Sequence, residues 1–163
     1  MTCLLIVYSY HHNNTQKIAE AMAKVLDAEI QTPQQTNPEE LQKYDLVGFG
    51  AGIDSGKHYK VLLDYVEKLP QVDNKGAFIF STAGVTGEKK LDKDHSTLRG
   101  KLEAKGYSIV DEFQCRGFNT NVFLKYFGGM NKGRPNEEDL KLAEAFAESL
   151  NQTKNEKLTN STF

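Results

Sequence analysis

Between the apolar run that opens the chain and the first helical pattern lie Ser9, Tyr10, His11, His12, Asn13, Asn14 and Thr15. Hydroxyl, amide and ring N–H groups can all donate hydrogen bonds. They stand at the expected head of a helix, where backbone N–H groups are unpaired and carry partial positive charge. Such a turn can seat a phosphoryl group with aligned dipoles alone, and no lysine or arginine occurs between Val7 and Gln16. A helix cap without any ligand is the plainer alternative, since Asn14 and Thr15 are good capping types. A nucleoside-triphosphate loop is excluded because no Gly-Lys-Ser/Thr follows, and a Gly-x-Gly-x-x-Gly loop because the turn has no glycine. His11 and His12 are adjacent, so their side chains diverge. With no third ligand at metal spacing, a metal centre is not expected.

Two further stretches combine small and polar residues. Gly50-Ala51-Gly52-Ile53-Asp54-Ser55-Gly56 and Ser81-Thr82-Ala83-Gly84-Val85 each follow an apolar run. Small residues let backbone N–H and C=O groups approach the edge of a flat ligand; tight turns are the alternative use.

The elements that must position these three stretches follow from periodicity. CLLIVYS (3–9), DAEIQ (27–31), YDLVGFGAG (44–52), KGAFIFSTAG (75–84) and YSIVDEFQC (107–115) read as strands. The nearly continuous apolar character of the first suits a strand covered on both faces. Ile18, Met22, Val25 and Leu26 set a helix over Thr15–Leu26. Polar TPQQTNPEE reads as a loop with a helical turn near Pro38–Gln42. Val61, Leu62, Tyr65, Val66 and Leu69 form one face of a helix within 58–70 that Pro70 stops. After a charged, irregular stretch, a fourth helical pattern runs from His95 to Lys105 and closes on Gly106. The last starts at Asn136 as cap, with Asp139 three residues on, and ends near Leu150. The tail 151–163 is polar and is expected to fray.

Alternating strands and helices with right-handed crossovers give an α/β three-layer sandwich: a five-stranded parallel sheet, order 2-1-3-4-5, with helices on both faces. Residues 1–150 form its one domain. Ser9–Thr15, Gly50–Tyr59 and Ser81–Val85 then meet at the carboxyl ends of the strands, where open α/β sheets bind ligands.

At this point the residues resemble a known family. The strand, SYHHNNT, helix order is similar to the phosphate loop of the flavodoxins, whose usual pattern is Thr/Ser-x-Thr-Gly-x-Thr. Tyr10 takes the opening seat, His11 the variable one and His12 that of the middle Thr. Asn13 takes the Gly seat, Asn14 and Thr15 match directly, and Ser9 stands in for the first hydroxyl. Asparagine suits a glycine seat because it adopts left-handed backbone angles more readily than most residues. The resemblance extends over the order of elements up to Leu150. It implies FMN as cofactor, with the phosphate on Ser9, Tyr10, His11, His12, Asn13, Asn14 and Thr15. The flavin ring would lie between Ala51, Gly52, Ile53, Asp54 and Tyr59 on one side and Thr82, Ala83 and Gly84 on the other, with Gly52 or Gly56 permitting a peptide reorientation. The chain has no Trp, so ring contacts are left to Ile53, Tyr59, Tyr10 or Phe118. QCRGFNTNVFLKYFGGMNKGRPNEEDL resembles a stretch of a flavodoxin subgroup. Arg116-Gly117-Phe118 lies just past the fifth strand, on the ligand edge, and Phe123, Tyr126 and Phe127 read as core or packing residues, with partner contacts as the alternative.

Charge departs from the family. Flavodoxins are strongly acidic, whereas Lys57, His58 and Lys60 follow the second stretch and Lys89, Lys90 and Lys93 the third. If these rim the cofactor, they favour its reduced anion. Over all 163 residues the net charge is −2, which gives no reason to expect nucleic acid or a membrane surface. No apolar run approaches the roughly 20 residues of a membrane span. The N-terminus shows no signal peptide, so a cytoplasmic location is expected. Cys3 and Cys115 fall in strands and read as buried thiols of a reducing compartment. The leading expectation is an electron carrier between redox partner proteins, with no catalytic side chain. An FMN-dependent NAD(P)H or quinone reductase of the same fold is one alternative, and a flavin-free interaction domain another. A receiver domain is disfavoured because no acidic pair follows the first strand.

Overall fold

The computed structural model describes residues 1–10, 12–118 and 129–160, with 154–160 as backbone alone. His11, Phe123, Tyr126 and Phe127 lie outside the described residues. The chain runs β1 (Cys3–Tyr8), α1 (Asn14–Leu26), β2 (Glu29–Gln31), a 3₁₀ turn (Pro38–Lys43) and β3 (Leu46–Asp54). It continues as β4 (Lys57–His58), α2 (Lys60–Glu67), β5 (Lys75–Ala83), α3 (Glu88–Ala104), β6 (Tyr107–Arg116) and α4 (Glu137–Asn160).

The parallel sheet has the order β2-β1-β3-β5-β6, with β4 paired antiparallel to β3 alone. Setting that short arm aside leaves the expected 2-1-3-4-5. The pleat sorts the core into two layers. Along β1, Leu4 and Ile6 join Val47, Phe49 and Ile79 beneath α2 and α3, while Cys3, Leu5 and Val7 join Phe78 and Phe80 beneath α1 and α4. Fully burying a side chain of this size stabilises the fold by roughly 1.5–3 kcal/mol, so the register of β1 is strongly specified.

Several boundaries differ from the sequence reading, those of three helices among them. The third helix begins at Glu88 rather than His95, because its first turns are closed by a Lys90–Asp94 ion pair and not by an apolar face. The second helix starts at Lys60, since Ile53 and Asp54 pair with His58 and Lys57 as a hairpin. Ser55 (φ 52°) and Gly56 (φ 78°) form its two-residue turn, and two positive φ values in succession match the twist of flanking strands. The last helix passes the expected end at Leu150 and runs to Asn160, with Asn151 Nδ2 donating to the Val25 carbonyl at 3.2 Å. Its start holds as expected. Asp139 N donates to Asn136 Oδ1 at 3.1 Å and Asn136 N to Asp139 Oδ2 at 2.8 Å, a reciprocal cap of the capping-box kind.

Candidate functional site

At the carboxyl edge of the sheet a cleft opens between three loops. Ser9, Tyr10, Asn14 and Thr15 line it from the first loop, Gly52, Ile53 and Tyr59 from the second, and Thr82, Ala83 and Gly84 from the third. Gly117 and Phe118, just past β6, complete the wall.

The first loop turns on two consecutive left-handed residues, His12 and Asn13, each at φ 54°. The expectation that Asn13 occupies a glycine-like seat therefore holds in its backbone. Its side chain makes no capping bond. Ser9 Oγ caps instead, accepting from Gln16 N at 3.2 Å, and one donor at the helix head is thereby engaged. His12 packs its ring on Phe118 at 4.4 Å between centroids. Neither His12 nor Asn13 lines the cleft; they shape the turn that presents Asn14 and Thr15.

Those two residues are buried, with relative exposures of 6% and 1%. Thr15 Oγ1 lies 2.9 Å from Thr82 Oγ1, tying the first loop to the third. Asn14 Nδ2 donates to the Phe118 carbonyl at 2.9 Å, while its Oδ1 has no partner. This close approach requires Gly117. A Cβ there would sit 2.6 Å from Asn14 Nδ2, well inside contact distance. Gly117 N donates to the Ala83 carbonyl at 3.0 Å, and Asn131 Nδ2 donates to the Gly84 carbonyl at 2.7 Å. The chain beyond β6 thus clamps the third loop.

In the second loop Gly52 belongs to β3, paired in register with Thr82, and its carbonyl accepts from Tyr59 N at 3.1 Å. The Tyr59 ring lies over it, where a Cβ would come within 2.6 Å. Gly50 serves packing in the same way, leaving room for the Phe80 ring 2.2 Å from where its Cβ would stand. These two are therefore close-packing glycines; Gly56 is the one at a turn. Tyr59 meets Tyr8 and Tyr10 edge-on, at 5.9 and 6.5 Å. Burial, then Asp54 and the neighbouring Tyr8 and Tyr10, push its hydroxyl above the ordinary tyrosine range, so it presents a neutral ring. Ala51 is fully buried in the core and Asp54 is exposed on the hairpin; neither lines the cleft.

Behind β5 the pleat turns Ser81 the other way, into a buried polar network that periodicity gave no sign of. His95 Nε2 lies 2.7 Å from Ser81 Oγ, and its Nδ1 donates to Glu112 Oε2 at 2.8 Å. Burial alone would raise the Glu112 carboxyl, but bonds from His95 and Arg99 outweigh it and hold it at about 2. Gln114 Nε2 donates to Ser81 Oγ and to Asp94 Oδ2, and Lys90 completes Asp94. The Ser81-His95-Glu112 order has the connectivity of a hydrolytic triad. Ser81 is 0% exposed, however, so its hydroxyl meets no substrate and the network is structural. Of the expected basic rim, Lys60 pairs with Asp64 and Lys90 with Asp94, while His58 is buried.

An open parallel sheet with helices on both faces and a polar cleft at its carboxyl edge belongs to the doubly wound α/β class. Residues 5–160 match the family model described as Flavodoxin domain, and the chain belongs to the flavodoxin family. An uncharacterized protein of Methanocaldococcus jannaschii is 45% identical over 150 residues, covering 92% of this chain and 98% of that one. Among solved structures, the oxidised Flavodoxin 2 from Bacillus cereus superposes with a TM-score of 0.69 at 17% identity, covering 94% of this chain and 99% of that one. The flavodoxin of Streptococcus pneumonia TIGR4 gives 0.68 at 14%, with the same coverage. At such identities the two structures establish the fold alone. No helix among the described residues is long and apolar enough to cross a membrane.

Proposed function

We propose that the cleft binds FMN and that the chain carries electrons between redox partner proteins in a reducing, cytoplasmic setting. The unpartnered Asn14 Oδ1, buried at the cleft wall, carries this reading. A buried acceptor without a donor costs about 1–3 kcal/mol, and it calls for a ligand O–H. FMN brings ribityl hydroxyls for that acceptor and a phosphate for the hydroxyl donors beside it. In the Thr15–Thr82 pair one hydroxyl hydrogen joins the two oxygens and the other is left to donate. Ser9 accepts through Oγ and keeps its own hydrogen for the same purpose. Tyr10, Ile53 and Tyr59 supply the apolar faces for a planar ring, and the carbonyl and N–H groups around Gly84 and Gly117 the polar edge.

When bound, the flavin supplies the redox chemistry; the chain seats it, orients it and shields it from water. The described lining contains no carboxylate, imidazole or thiol, a lining suited to holding a redox group rather than to acid/base work on a second substrate. Both cysteines are buried free thiols, in keeping with a reducing compartment.

Titration of purified apoprotein with FMN, followed by quenching of flavin fluorescence, tests the reading. Tight 1:1 binding is expected, with riboflavin markedly weaker for want of the phosphate. A colourless protein that leaves FMN fluorescence unchanged would refute it. Turnover of NAD(P)H with quinone by the loaded protein would favour the reductase alternative.

A further inference from the structure

The cleft mouth differs in sign from the chain that carries it. Net charge over the whole sequence is −2, yet the elements framing the mouth present Lys57 on the hairpin, Lys89 and Lys93 on the first turns of α3, and Arg116 at the end of β6. All four are exposed, and among the described residues none of them makes an ion pair. Asp54 shares a groove with Lys57, where Asp64 and Glu67 are already paired with Lys60 and Lys101; Glu88 opens α3 as an exposed carboxylate, and Asp92 is taken by Arg99. Within this basic frame stand two large apolar side chains open to solvent, Tyr10 at 74% and Val85 at 58% exposure. An apolar centre with a charged rim is the anatomy of a docking surface, and exposed tyrosine is a preferred contact residue at such centres.

We infer that the mouth docks a redox protein bearing an acidic surface around its own electron-transfer centre. This rests on the FMN reading for its purpose, but the charge pattern and exposed side chains stand without it. Lys89 and Lys93 are four apart and share one helix face, so they present their charges together. Steering by such a patch raises association rates by roughly 10–10³-fold at low ionic strength and fades as salt screens it. Transient redox encounters bury little area, which suits two exposed apolar side chains rather than a large hydrophobic face.

The experiment uses the FMN-loaded chain and two redox proteins of opposite sign as probes. A dithionite-reduced, strongly acidic [2Fe–2S] ferredoxin gives one electron to the flavin, its cluster being oxidised as the flavin is reduced. Separately, basic cytochrome c takes one electron from the reduced flavin, its ferric haem becoming ferrous. Stopped-flow rates are read between about 20 and 500 mM salt. With ferredoxin the rate should fall at least about tenfold across that range, and fall by about tenfold at low salt in Lys57→Glu/Lys89→Glu/Lys93→Glu. Lys68→Glu, at the far end of α2, should match the unaltered protein. Cytochrome c should show the opposite salt dependence. A ferredoxin rate indifferent to the triple reversal, or a cytochrome c rate that is fastest at low salt, would overturn the inference. NMR shift titration of the flavin-free chain with oxidised ferredoxin should perturb Tyr10, Val85 and Lys89. That arm tests the surface even if FMN does not bind, so failure of the surface and failure of the cofactor reading remain distinct.

Discussion

His58 sits on the hairpin with 1% of its surface exposed. Its Nε2–H donates to the Phe80 carbonyl at 3.1 Å, and its Nδ1 faces the Asp94 backbone without completing a hydrogen bond. The His95 ring is 4.9 Å away. Burial, then the charge of a protonated His95, push the His58 imidazole down to about 3, against the weaker pull of the Phe80 carbonyl and Glu112. The native ring is therefore neutral down to about that pH, whereas in the unfolded chain it takes up a proton near 6.5. The unfolded state binds the extra proton, so stability is whole above about 6.5 and drains away as pH falls toward 3. Each pH unit inside that window costs about 1.4 kcal/mol, and going from pH 7 to pH 5 costs about 2 kcal/mol. Glu112 is lowered as well, by hydrogen bonds from His95 and Arg99 that outweigh its burial. Its carboxyl is lowered from 4.5 to about 2, so its contribution is intact above the unfolded value and is lost only as pH falls below it. Of these two groups, it is His58 that acts between pH 7 and 5. Urea unfolding at pH 7, 6 and 5 measures it, comparing the chain with His58→Gln, whose amide can donate to Phe80 but cannot titrate. The midpoint should drop for the unaltered chain and drop by about 2 kcal/mol less for the variant, at constant m. Parallel declines in both would refute the argument, as would an imidazolium signal from native His58 at pH 5.

Two substitutions probe the cleft itself. Gly117→Ala places a methyl 2.6 Å from Asn14 Nδ2 and should weaken FMN binding about tenfold or more by displacing the orphan acceptor, read by fluorescence titration. Thr15→Val removes the buried bond to Thr82 and should cost about 1–2 kcal/mol of stability together with FMN affinity, while Thr15→Ser keeps most of both.

What could be read in the sequence was whatever repeats locally. Leu4, Ile6, Ile18, Met22, Leu62 and Val66 announce their elements by spacing, and the polar residues that follow β1, β3 and β5 announce the edge where the cleft opens. Asn136 and Asp139 declare a helix start through types and separation alone. The first turns of α3 escaped because Glu88, Lys89, Lys90, Asp92, Lys93 and Asp94 offer no apolar stripe; a Lys90–Asp94 pair and a buried His95 close that helix instead. His95 and Glu112 meet across 17 positions, and Asn14 reaches Phe118 across 104. No periodicity encodes such pairings. The glycines of β3 misled for a related reason: Gly50 reads as a ligand-facing position until the Phe80 ring is seen to fill the space.

Ser81 and Thr82 show how the sheet supports the cleft. Below them Phe78, Ile79 and Phe80 are apolar and fully buried; at the cleft the same strand turns polar without becoming exposed. Each buried hydroxyl then needs a partner, and the pleat sends the two in opposite directions. Thr82 finds Thr15 at the head of α1, and Ser81 finds His95 on α3 and Gln114 on β6. The hydrogen bonds that offset the burial of these hydroxyls therefore join the tip of β5 to both helical layers and to its neighbouring strand. A ligand edge built this way has its donors fixed before the ligand arrives, so binding does not bear the cost of ordering them. For the proposed task of holding a redox group still while electrons enter and leave, that cross-linked edge is the physical requirement, and Ser81 and Thr82 are where the chain meets it.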